Sequence, residues 1–444
     1  VTLKMASIKT PDFYIKDWYQ KKTTAVKTAF FAAVIFGLMT HLYQFTNKLY
    51  NYDELANTPS GNGASVEQGR WFLKWMGDIL VKYTGGVYSL PLLNGLLSLL
   101  LLAVTAALIA EMFQVTHWIP AAFIGGFTVV FPSVVCMFFY MFTSVFYAIG
   151  ILFSVLAAYF VVRYPRSIPA HIGAVLLLAC SLGVYQAYFP NAVCLLVISV
   201  ILLSAFREEN RTWKNIFFTA LRYVGVLAAG MVVYFFINMV VLKVNGVEMI
   251  SYQGGANMGQ ITLRQFLSAV KRCYRDFIAL GNDNVLVLNA TGVLRVCYWL
   301  VMGLFAVSAL LLLVFEKGDW LKKAIMAAGF LALPVAMFLV YIMAPDAQTY
   351  TLMGYAVVYL LIFFAVWTDY YSRKVHCKGE LRVGFTWVAE IICFVMLATY
   401  IWYGNGCYMS LEYTKNHDMA YFQTMITQIK SVEGYEDNLP VAFV

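Results

Sequence analysis

Apolar runs of about twenty residues recur along almost the whole chain, and nothing else in the sequence limits its fold as strongly. Inside a bilayer the backbone N–H and C=O groups find no water. A run of this length therefore closes its hydrogen bonds within a helix. Eleven such runs lie near residues 25–46, 90–113, 119–139, 141–162, 168–186, 189–206, 215–242, 286–314, 324–344, 350–369 and 383–403. Hydrophobic residues make up 61% of the 444 and charged ones 12%, where a soluble domain is about a quarter charged. The expected fold is an all-α polytopic membrane protein with about eleven transmembrane helices. The first run is too long for a signal peptide and is expected to remain as an anchor.

Charge placement then orients the chain. The net charge is +8, yet its cations sit in short connectors between the runs, which argues for membrane topology and against a nucleic-acid partner. Lys16, Lys21, Lys22 and Lys27 precede or open the first run. The same side receives Arg163 and Arg166, Arg207, Arg211 and Lys214, Lys317, Lys322 and Lys323, and Arg373, Lys374, Lys378 and Arg382. Tight links at 139–141, 187–190 and 345–349, on the opposite side, hold no Lys or Arg. The N-terminus is thus expected in the cytoplasm and the C-terminus outside. The chain divides into a transmembrane catalytic domain over 1–403 and an extracytoplasmic tail over 404–444. Eight cysteines are scattered without metal-ligand spacing, so neither structural zinc nor a disulfide framework is expected.

Three longer segments share the outer side: 47–89, 243–285 and 404–444. Trp71, Phe72, Trp75, Met76, Ile79, Leu80 and Tyr83 recur at helical spacing, with Arg70, Lys74, Asp78 and Lys82 opposite. That pattern predicts a helix lying along the membrane surface. A second surface helix is predicted after Thr262, which forms a capping box with Gln265. Its apolar face runs through Leu263, Phe266, Leu267, Val270, Tyr274, Phe277 and Ile278, and its other face carries Arg264, Lys271, Arg272 and Arg275. Those cations serve equally as a solvated face reaching lipid phosphates or as a clamp on an anionic lipid substrate. The tail reads as a helix to about Val432, then a strand from Pro440. A lone strand lacks a partner, so the chain is expected to be truncated there.

Few motifs carry chemistry. No nucleotide loop, nucleophile elbow or metalloprotease motif has a credible context, and His41, His117, His171, His376 and His417 are isolated. Asp53 and Glu54 follow the first run directly. As a bare pattern they are solvated loop acids. Placed under a surface helix, one of them can instead accept the proton of a sugar hydroxyl attacking an anomeric carbon. Tyr185, Gln186, Arg295, Asp346 and Gln348 lie at outer helix ends. Glu111, Arg222, Asp369 and Glu390 lie toward cytoplasmic ends, where snorkelling accounts for them.

Taken in order, the acidic pair, Glu67-Gln68-Gly69-Arg70-Trp71, the SLGVYQ stretch at 181–186 and the K-N-x-x-x-A-Y tail resemble the bacterial Gtr type II glucosyltransferases. These decorate O-antigen and related surface polysaccharides, and in plan they are similar to the C-class glycosyltransferases. The resemblance implies an inverting hexosyltransferase of the bacterial cytoplasmic membrane. Its site faces outward, its donor is a polyprenyl-phosphate sugar such as undecaprenyl-phosphate glucose, and its acceptor is a surface glycan. It implies Asp53 as general base with Glu54 beside it, in an Asp-Glu pair like that of protein O-mannosyltransferases. Related O-antigen enzymes often carry Asp-Asp, which leaves the choice of acid open. Arg70, with one or more of Arg264, Lys271, Arg272 and Arg275, is the expected phosphate site, and Trp71, Tyr185, Gln186 and Asp346 the expected sugar and acceptor contacts. No cofactor or metal is called for, although the loop acids leave room for a divalent cation. A transporter or lipid flippase for glycolipid or polysaccharide precursors is the main alternative, and a membrane scaffold the second.

Overall fold

The computed structural model describes residues 10–49, 51–206, 212–250, 258–282, 292–315, 319–345, 347–374 and 379–438. Every regular element among them is helical. Helix α1 (Pro11–Lys21) opens on a proline, whose missing N–H is no loss in a first turn. Helix α2 (Thr24–Thr46) is capped by Thr23, whose side chain accepts from Val26 N. Two short helices follow, α3 (Tyr52–Asn57) and α4 (Trp71–Thr84). After them come α5 (Pro91–Met112), α6 (Trp118–Val130), α7 (Pro132–Phe139), α8 (Ser144–Arg163), α9 (Ile168–Val184), α10 (Phe189–Phe206) and α11 (Trp213–Asn245). The remainder comprises α12 (Leu263–Ile278), α13 (Gly292–Phe315), α14 (Trp320–Met337), α15 (Val340–Met343), α16 (Val358–Lys374) and α17 (Gly379–Lys430).

Ten helical segments among the described residues are long and apolar enough to cross a membrane. The chain is an all-α polytopic membrane protein. Helices α6 and α7 form one such segment, turned at Phe131 (φ −61°, ψ 144°) because the residue before Pro132 is pushed out of the helical region. The run expected over 168–186 is helical only for the 17 residues of α9. It stops where Tyr185 becomes extended (φ −159°, ψ 116°). A tight turn at Gln186–Tyr188 then leads straight into α10, one residue earlier than the tight link expected at 187–190. Helix α17 has 52 residues, which at 1.5 Å per residue is roughly 78 Å, well over twice a hydrocarbon core of about 30 Å. It passes position 403 without a break and ends in a turn after Lys430. The strand expected from Pro440 lies outside the described residues.

The centre of the bundle is the segment from Thr351 into α16, buried at every residue from Thr351 to Tyr371. It packs against α6, α10, α13 and α17. With no aqueous phase to drive helices together, association rests on close packing and on interhelical hydrogen bonds. His41 supplies two such bonds. Its Nε2 donates to Val129 O of α6 (2.8 Å), so its Nδ1 accepts the Tyr408 hydroxyl of α17 (2.7 Å). Trp367 Nε1 donates to Ser308 Oγ of α13 at 3.0 Å.

At the end of the bundle away from α3 and α4, three of the charged side chains near the helix ends have hydrogen-bond partners within the protein. Lys22 Nζ lies 2.7 and 2.8 Å from the two Glu111 oxygens. Arg222 donates to Pro165 O at 2.8 Å. Asp369 is fully buried; it accepts from His117 N (3.0 Å), His117 Nδ1 (2.7 Å) and Arg373 Nη2 (2.6 Å). This carboxylate fixes the α5–α6 connector to α16. Removing one partner of a buried pair costs about 3–5 kcal/mol, because the other charge is stranded. Asp369→Ala should therefore lower the thermal midpoint of the purified protein sharply, and Asp369→Ala with Arg373→Met should recover part of the loss.

Candidate active site

The connector between α2 and α4 is built around two turns. Asn51 opens α3 by accepting from Glu54 N through its side chain (3.0 Å). Adjacent residues of a helix point about 100° apart, and the two acids of α3 point into different environments. Asp53 is exposed and lines a polar cavity of about 450 Å³. One helical turn on, Asn57 lines the same wall and donates to Asp53 O at 2.7 Å. Glu54 points inward instead and is 2% exposed. Burial raises its pKa, with the Ser89 hydroxyl and the Lys48 ammonium opposing.

The second turn delivers Arg70. Ser65 Oγ accepts from Glu67 N (3.1 Å), and the chain then passes through Gly69 in the left-handed region (φ +72°). Gln186 Nε2 donates to Gln68 O (2.8 Å) and to the Tyr234 hydroxyl (3.0 Å), which itself donates to Gly69 O (3.2 Å). A Cβ at Gly69 would stand 2.5 Å from Tyr234 Oη and 2.8 Å from Gln186 Nε2, so both the conformation and the space demand glycine. The Arg70 guanidinium then lies 4.9 Å from the centre of the Tyr185 ring, a cation–π contact. Trp71 begins α4 with its ring against Gly183, where a Cβ would come within 2.6 Å of the indole. The two sequence motifs are thus opposite halves of one contact: Gln186 on Gln68, Tyr185 on Arg70, Gly183 on Trp71.

Arg70 and Gln68 belong to two cavities at once. One is the polar cavity, whose remaining wall includes Asn62, Thr143 and the phenols of Tyr140, Tyr147 and Tyr350. The other is a narrow cleft of about 60 Å³ lined by Tyr185, Gln186 and the apolar side chains of Met258, Val340, Met343 and Met353. The Tyr185 hydroxyl donates to Tyr350 Oη at 3.3 Å, linking the two walls.

A family model described as Glucosyl transferase GtrII matches residues 42–361, well over half of the chain. The chain belongs to the GtrII glucosyl transferase family. It is therefore a glucosyltransferase, and the transporter and scaffold alternatives lose their ground. No curated protein and no solved structure matches this GtrII chain.

The other expected site residues of the GtrII protein are more dispersed. Trp71 is on the wall of neither cavity, and Gln186 is on the wall of the apolar cleft alone. On α12, Arg264, Lys271 and Arg275 are exposed, and Arg272 is half-buried. Arg272 lies 3.9 Å from the Tyr341 ring centre and donates to Thr349 Oγ1 (3.2 Å), next to Tyr350. Asp276 offsets part of this charge: Arg275 Nε (2.8 Å) and the Tyr341 hydroxyl (2.7 Å) both donate to it. Helix α12 buries Ala269 and Cys273 and leaves Leu263, Phe266, Leu267 and Ile278 exposed, as suits a helix lying on a membrane surface. Asp346 lies outside the described residues. Sequence reading missed Asn57, Asn62, Tyr140, Thr143, Tyr147 and Tyr350. Of these only Asn57 carried a local signal, four residues after Asp53.

Gly69→Ala should displace Arg70 by straining the turn and colliding with both hydrogen-bond partners, at a cost of about 1–3 kcal/mol. The measurable outcome is a lower thermal midpoint together with a loss of glucosyl transfer well beyond what partial unfolding explains.

Proposed function

We propose that this glucosyltransferase is an inverting enzyme that moves glucose from a polyprenyl-phosphate donor onto a hydroxyl of a surface glycan. The observation that carries this is the placement of one exposed carboxylate, Asp53, and one guanidinium, Arg70, on the wall of the same polar cavity, with an apolar cleft opening beyond Arg70. The acceptor hydroxyl attacks the anomeric carbon and passes its proton to Asp53. The bond from that carbon to the phosphate oxygen breaks, and the electron pair leaves with the phosphate. Arg70 is the cation available to the leaving group, and its planar fork suits phosphate better than an ammonium does. Base and cation together supply what the displacement needs, so the proposal includes no metal or cofactor.

The same reading sets the site on the extracytoplasmic face of the bacterial cytoplasmic membrane. It rests there on the Lys and Arg clusters that flank the opposite helix ends. Partners are the lipid-linked donor, the glycan acceptor and the surrounding lipids.

Choosing between the two acids is a matter of geometry. Asp53 faces the cavity and Glu54 does not, so Asp53 is the base and Glu54 a buried support for α3. Loss of a general base typically lowers the rate by about 10²–10⁴. With undecaprenyl-phosphate glucose in proteoliposomes, Asp53→Asn should show a fall of that size in polyprenyl-phosphate release with donor affinity retained. Glu54→Gln should keep most of the activity. Equal, full activity in Asp53→Asn removes the proposal's centre.

A further inference from the structure

The two cavities that meet at Gln68 and Arg70 differ in chemistry along their length, and this difference gives the site a direction. On one side the wall is Met258, Val340, Met343 and Met353, with no hydrogen-bonding side chain among them. On the other it is Asp53, Asn57, Asn62, Phe142 and Thr143, with the phenols of Tyr140, Tyr147 and Tyr350. Thr143 is 1% exposed, and its Oγ1 has no hydrogen-bond partner among the described residues. A buried hydroxyl left in that state costs about 1–3 kcal/mol; it is tolerated where a ligand completes the bond. Asn62 is held rigidly, donating to Leu73 O (2.7 Å) and accepting from Ala64 N (3.3 Å).

We infer that the Asn57–Phe142–Thr143 end of the polar cavity is the acceptor subsite, and that it takes a neutral sugar ring. The inference rests on the transfer reading above. Displacement at the anomeric carbon is in line, so the attacking hydroxyl arrives from the side opposite the phosphate. With the phosphate at Arg70 and its lipid along the methionine-lined cleft, that side is the polar cavity, which meets the cleft at Gln68 and Arg70. Two amides, a hydroxyl and an aromatic face recognise hydroxyls and the apolar face of a pyranose. Asp53 and Arg70 are the charged residues on this wall among the described residues; with Arg70 engaged by the donor phosphate, the subsite disfavours uronic acids and phosphorylated sugars, whose negative charge would sit against the base.

The test uses the purified full chain in nanodiscs with radiolabelled undecaprenyl-phosphate glucose. The acceptor probe is a panel of methyl glycosides: neutral hexoses, 6-deoxyhexoses and a hexuronic acid. Glucose should pass to neutral members and not to the uronide. Thr143→Val should raise the KM for the neutral glycoside about tenfold, the loss of one hydrogen bond, with the donor KM within twofold of wild type. Met343→Glu should do the reverse. If Thr143→Val does not fold, Asn57→Ser carries the same comparison. A rise in donor KM with acceptor KM unmoved overturns the assignment, and so does hydrolysis of the donor that no neutral glycoside accelerates or intercepts. Wild-type protein that releases no polyprenyl phosphate under any condition brings down the transfer reading itself, and the subsite with it.

Discussion

One side-chain amide holds the site together. Gln186 reaches from the turn between α9 and α10 to the backbone of Gln68 and, through Tyr234 on α11, to Gly69. Three membrane helices thereby grip a surface connector at the residues that precede Arg70. The cost is visible in α9, which gives up its last turn so that Tyr185 and Gln186 can face the connector. Buried amide hydrogen bonds gain strength where water is scarce, and a partly satisfied network is correspondingly expensive. The glycine in the turn and the glycine under Trp71 follow from the same demand for close approach.

Helical geometry decides what each neighbouring residue can do. Asp53 and Glu54 differ by one position, hence by about 100° around α3, and this alone separates a cavity-facing carboxylate from a buried one. Helix α12 is divided in the same way. Its residues divide into a flank packed on the protein, an apolar stripe left exposed and a basic stripe of which Arg272 and Arg275 pair with Asp276.

Much of the fold was legible because a bilayer leaves the backbone few choices: hydropathy placed every long helix, and the capping box at Thr262 and Gln265 is present as expected. Helix breaks were harder. The end of α9 at Tyr185 and the turn at Phe131 lie inside apolar runs, where hydropathy is blind to backbone direction. Within the site, the resemblance singled out Gly69-Arg70-Trp71 and Tyr185-Gln186, but only coordinates show that they touch. Tyr140, Thr143 and Tyr350 had no signal at all, since they join Asp53 from helix ends remote in the chain. The basic stripe of α12 was legible, but the partners of its cations were not. Charge counted along a helix omits the carboxylate that answers it, here Asp276.

The most direct test is a structure of the protein in nanodiscs with a non-transferable undecaprenyl-phosphonate analogue of the donor. The account predicts the phosphonate within hydrogen-bond reach of Arg70, the sugar toward Asp53 and the lipid chain along Met343 and Met353. A phosphonate seated on Arg264, Lys271 and Arg275, with Arg70 untouched, contradicts it.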